Sequence, residues 1–188
     1  MPTLKHARSS DLDRLKQALK AAIADMSPEE LARKPGPIVT KKNDDSPLKE
    51  KWSPAEILEH LDRTYTASSK AFEQCLEQKN PSATKGNLKC RVSALAVVGL
   101  GYLPRGRQAP KYAVPRGVAA AELPGLIDQH LARMEELIRR CEVQFGEKTK
   151  IMDHPFIGPL SGRQWRKFHL VHGRHHIKQI QEIRAGLR

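Results

Sequence analysis

Cysteine is scarce in this chain and poorly placed for cross-linking. Only Cys75, Cys90 and Cys141 occur, far apart and without a CxxC pair. That argues against a disulfide framework and for a reducing compartment. Long apolar runs are also missing. The most apolar stretch, "VSALAVVGLGYLP", is roughly 12 residues long, too short to span a bilayer. The segment "MPTLKHARSSDLDRL" has no apolar leader core, so a soluble, cytoplasmic protein is expected, with no membrane partner. Aromatics make up only 5% of the residues. No serine sits in a GxSxG turn, and "GLGYLPRG" lacks the GK[ST] ending and preceding strand of a phosphate loop. Acidic residues are absent from the whole stretch between Gln78 and Ala121.

What is present is positive charge and legible helix starts. The 188 residues carry a net charge of +12, which favours nucleic acid, anionic lipid or an acidic small molecule without choosing among them. The length suits one domain, residues 1–188, with a real core. "SPAE" at Ser53–Glu56 reads as a capping box with proline in the first helical position. "SPEE" at Ser27, "SGRQ" at Ser161, and Ser9 or Ser10 before "DLDRL" repeat the logic.

These signals predict four long amphipathic helices, over about 10–25, 53–78, 120–145 and 162–187. A short turn is expected at 28–33, and a short buried helix at 89–102, where Val92, Val97 and Val98 leave a strand open. Residues 35–50 and 80–119 read as loops or irregular connections, and "GEKTKIMDHPFIGPL" as a further loop. The implied fold is all-α: a four-helix bundle with a long crossover connection between the second and third long helices.

The fourth helix concentrates the chemistry. In "FHLVHGRHHIKQI", four of the eight histidines fall within eight positions. With Trp165 set at zero on an ideal helix, His176 lies near about 20°, His169 near about 40° and His172 near about 340°. That is the face of Phe168, Ile180 and Ile183, so three imidazoles point inward. Arg174 lies opposite and His175 on the flank. Buried imidazoles need partners or a metal, and His172 and His176 have the i, i+4 spacing that converges two ring nitrogens on one ion. Helical position leaves two candidates for a third ligand. His130 sits among Ile127, Met134 and Ile138, whereas His60 sits in line with the small residues Thr64, Ala67 and Ala71.

Two stretches carry a resemblance. "WSPAEILEHLDRT", residues 52–64, and "HPFIGPLSGRQWRKFHLVHGRHHIKQI", residues 154–180, resemble the second- and fourth-helix signatures of the DinB-like (DinB/YfiT) superfamily, closest to its DUF1569 branch. The resemblance implies a four-helix bundle holding a divalent metal, zinc or nickel, on one histidine from the second helix and an HxxxH pair from the fourth. Carried over, the ligands are His60, His172 and His176, with open positions for water or substrate. His169, His130 and Thr64 are the candidates for lining the site or supporting its ligands. The resemblance further implies a metal-dependent enzyme of the thiol-transferase type, or a related hydrolase or isomerase, with a low-molecular-weight thiol or anionic small molecule as partner. The basic segment 79–116 is a candidate to receive such an anion. The alternative is a non-catalytic, stress-related binding protein whose helices offer homodimer faces and whose basic surface meets nucleic acid or a protein partner.

Overall fold

The computed structural model describes residues 10–36, 51–103 and 108–186. Six α-helices and one small hairpin make up its regular structure: α1 (Asp11–Ile23), α2 (Pro28–Ala32), α3 (Pro54–Glu77), α4 (Leu88–Ala94), α5 (Leu123–Phe145), β1 (Lys150–His154), β2 (Gly158–Ser161) and α6 (Gly162–Arg184). A π turn, Leu95–Gly99, continues α4, and a 3₁₀ turn, Lys111–Ala113, punctuates the connection to α5. The all-α expectation holds. The expected loop at 35–50 lies almost wholly outside the described residues.

Helix starts follow the local code. Ser10, Ser27 and Ser53 each accept the amide of the third helical residue, and the carboxylates of Asp13, Glu30 and Glu56 accept the cap amides in return. At Ser161 the cap amide donates to Gln164 Oε1 at 3.1 Å. These bonds settle amide donors that a helix cannot pair internally.

The long helices α1, α3, α5 and α6 form the bundle. The closest pairs are α3 with α5 and α1 with α6; α1 also meets α5, and α3 meets α6. The core is largely aliphatic, with Leu15, Leu131, Met134 and Ile138 sealed, and includes an aromatic pair where Phe72 meets Trp165 edge to face. Helix α6 buries more than the single stripe read from its histidines. Leu170, Gly173 and Ile177 form a second buried face. Gly173 permits close approach to α1: a Cβ there would lie 2.2 Å from Leu15 Cδ1.

Two readings need correction. The "GEKTKIMDHPFIGPL" loop contains an antiparallel hairpin, with Met152 paired to Leu160 and His154 to Gly158. Its strands are short, with Pro155 in the turn between them and Pro159 inside the second, which hid the alternation, yet Ile151, Met152 and Leu160 are buried beneath the bundle end. Gly158 turns the corner at φ +81° and lies against Cys90, where any side chain would collide. The 89–102 segment is helical as expected but not buried. Leu88 (75% exposed), Val92 (60%) and Leu95 (64%) face outward, and only Val97 is sealed. Apolar composition predicted burial, but no other described element covers that face.

Candidate functional site

Helix α3 delivers His60 to the interior, one turn before Thr64. Trp52, just ahead of the Ser53 cap, places its ring 5.1 Å from the imidazole. The His60 Nδ1–H donates to the Ala113 carbonyl at 2.9 Å. That bond fixes the tautomer and leaves the Nε2 lone pair facing α6. Helix α6 supplies the other two rings. His176 Nδ1 bonds Gln179 Oε1 at 2.8 Å, and the Gln179 amide nitrogen reaches His175 Nε2 at 3.1 Å. Gln179 therefore fixes His176 as Ala113 fixes His60.

The three Nε2 atoms converge. His60 Nε2 lies 3.4 Å from His172 Nε2, and His176 Nε2 lies 3.0 Å from it. Nitrogens bound to one tetrahedral ion at about 2.0–2.1 Å stand about 3.3 Å apart; these two spacings fit a shared ion, and all three ligand atoms lie within 4.8 Å of one another. The placement of protons points the same way. With both Nδ1 positions donating, His60 and His176 each aim a lone pair at His172, which can offer a single proton between them. Adding protons is opposed: burial, and secondarily the neighbouring imidazoles, holds His172 well below the usual histidine range, and burial also lowers His60. His172 Nδ1 is itself buried without a partner. A cation satisfies all three lone pairs where a proton satisfies one. The three residues form a group that can hold a metal ion.

The group opens on a cavity of about 660 Å³. Its walls are mainly apolar and aromatic: Trp52 and Ile57 from the α3 side, Tyr112 and Val114 from the connection, Phe156 from the hairpin, Phe168 and Ile183 from α6. Among the described residues no aspartate or glutamate lines it, and Lys51 is its one lysine or arginine. The connection from α4 to α5 contributes Leu103, Gln108, Ala109 and Pro110 as well, but Lys79, Lys85, Lys89, Arg91, Lys111 and Arg116 stay outside the lining.

A family model of the DinB superfamily matches residues 11–180, a span that includes all three histidines. The chain belongs to that superfamily. Searches of curated proteins and of solved structures give no match.

The remaining candidates separate. His169 is sealed, packed against Tyr65, Trp165 and Phe168, and neither ring nitrogen has a partner among the described residues. Burial, with His154 adding to it, pushes its pKa down to about 3. It makes no bond to the three converging rings, but it is among the residues that line the cavity. Thr64 lines the cavity, but its hydroxyl donates to Leu61 O at 2.7 Å in its own helix. His130 stands apart from the group. It bonds Asp62 at 2.6 Å, ties α5 to α3, and lies outside the cavity. Asp62 is two residues beyond His60, nearly opposite on the helix, so His130 meets the wrong face of α3. Gln179 was not among the expected site residues, although its i+3 spacing from His176 is a signal. The Ala113 carbonyl gave none, being backbone.

Proposed function

We propose that this DinB-superfamily protein is a metal-dependent enzyme of the thiol-transferase type, closest in sequence to the DUF1569 branch. Its ion, zinc or nickel, is held by His60, His172 and His176. The convergence of three Nε2 lone pairs on one point beside a cavity carries the reading. Three protein ligands leave positions open toward the cavity, as in catalytic rather than structural sites. When bound, such a cation holds a low-molecular-weight thiol as thiolate at neutral pH.

The chain's own residues supply the rest. Ala113 and Gln179 keep the His60 and His176 lone pairs turned inward. Trp52, Phe156 and Phe168 exclude water and receive the apolar body of the second substrate. Lys51 is placed to meet an anionic group. The protein offers no internal thiol there. Cys75 and Cys141 are buried in the core, and burial pushes Cys141 up to about 11; Cys90 lies against the hairpin. The sulfur nucleophile therefore comes from a cosubstrate.

Elemental analysis of protein purified without chelators tests this. Close to one zinc or nickel per chain is expected, lost in His172→Ala. A metal-free wild-type protein that also fails to bind added zinc or nickel sinks the reading.

A second reading has one observation behind it. Leu88, Val92, Leu95, Leu100 and Tyr102 are all exposed within a segment that holds no acidic residue. Such a face suits a protein partner or a second copy better than nucleic acid, which offers little to aliphatic side chains. Sedimentation of wild-type and Val92→Glu protein distinguishes a second copy from a monomer. Steeply salt-dependent DNA retention would move the reading to nucleic acid.

A further inference from the structure

Glu59 is the residue before His60 and is not among the residues that line the cavity. It is 1% exposed. A carboxylate sealed this deeply needs a full set of donors, and among the described residues the backbone supplies them. Glu59 Oε1 accepts from the Arg116 amide at 2.6 Å, while Oε2 accepts from the Gly117 and Val118 amides at 2.9 and 3.1 Å. Three successive amides converge on one side chain, in the manner of an anion nest. Gly117 adopts φ +93° to make this possible.

The same stretch of chain returns to the site three residues earlier. Ala113, fully buried, presents its carbonyl to His60 Nδ1. Around the two contacts the backbone has little freedom. The 3₁₀ turn closes with the Ala113 amide on Pro110 O at 2.8 Å, and Pro115 fixes φ just before the nest. Arg63, one turn after Glu59 on α3, adds a bond to Tyr112 O at 2.6 Å. Helix α3 thus holds residues 112–118 at three points, and one of them is the acceptor that sets the His60 tautomer.

We propose that Glu59 is a positioning residue for the metal site. By clamping residues 116–118 it holds the Ala113 carbonyl against His60, and so keeps the His60 lone pair directed at His172 and His176. This rests on the metal reading above. Glu59 touches neither ion nor substrate. It acts through a backbone carbonyl, and the clamped segment also carries Tyr112 and Val114, so the carboxylate fixes one cavity wall at the same time. Glutamine cannot replace it, because its amide nitrogen would turn a donor toward donors.

The experiment compares wild type, Glu59→Gln, Glu59→Asp and, as a control, Glu73→Gln. Glu73 sits on α3 and pairs with Arg133 at an exposed position. Zinc affinity is measured by chelator competition. Nitrogen-15 spectra of the metal-free, histidine-labelled proteins report the His60 tautomer, and far-UV dichroism reports the fold. Loss of the clamp should weaken zinc binding about 10- to 100-fold, the usual cost of removing support behind a ligand. It should also turn a single Nδ1–H form of His60 into a mixture. Glu73→Gln should do neither. Glu59→Asp keeps the charge but withdraws it by one methylene, and serves if the glutamine variant fails to fold. A folded Glu59 variant with an unchanged His60 tautomer overturns the proposal, whatever its zinc affinity. If wild type binds no zinc, the metal reading fails, and the tautomer comparison still decides the clamp.

Discussion

His169 is an imidazole enclosed by aromatic rings, with no bond to either nitrogen among the described residues. An unfolded histidine takes a proton near pH 6.5, whereas this one does so only at about 3. Between those values the unfolded chain binds more protons, so stability falls as pH drops through the window and is unaffected above it. The expected loss is on the order of 4 kcal/mol if the shift is taken nearly whole. Urea unfolding of metal-free protein from pH 7 to pH 4 should show the decline. His169→Leu should flatten it in part, the buried His60 and His172 keeping the remainder. A slope unchanged by the substitution would assign the decline elsewhere. At this scale the sequence showed the inward histidines because helical angle is a local property. His172 and His176 share a face by spacing alone. His60 required the family resemblance, because no local pattern links residues more than a hundred positions apart. The bonds that fix the tautomers were split: Gln179 lies on the same helix and was within reach, while Ala113 is a backbone acceptor whose residue type carries no signal.

At the scale of elements, caps were legible and contacts were not. Ser53 with Glu56, and Ser27 with Glu30, declare helix starts through bonds made within four residues. The hairpin did not declare itself, because its burial depends on the bundle end above it. Nor did the second face of α6, where Gly173 resembles a helix-weakening glycine until Leu15 is seen against it. Gly173→Ala tests the contact. Alanine should gain up to about 1 kcal/mol in helix propensity. Leu15 is fully buried and has nowhere to swing, so overpacking of about 1–3 kcal/mol should prevail. A net loss of about 1–2 kcal/mol is expected from denaturant unfolding. In the Leu15→Ala background the same glycine substitution should be neutral or stabilising. A stabilised single variant would show that α1 and α6 pack less closely than described.

For the whole molecule, an ion at this site joins α3 to α6 and binds only the folded chain. At free metal 100 times the dissociation constant the gain is about 2.7 kcal/mol. For a chain of this length that corresponds to roughly 5–10 °C in melting temperature. Calorimetry with zinc, and then with excess chelator, should show the shift in wild type and not in His60→Ala. Because the ligands must be unprotonated, the shift should shrink as pH falls below neutrality. A shift of equal size in the variant would place the ion elsewhere.

The separation of the ligands has a consequence in time. His60 and His172 are 112 residues apart, and α1 gains its main cover only from α6. At a synthesis rate of about 5–20 residues per second, on the order of ten seconds pass between the first ligand and the last. During that interval the growing chain carries one histidine of the three and a Leu15 still without its contact to Gly173. On the proposed metal reading, loading would wait for α6, because the helix that brings His172 and His176 is also the one that packs along α1.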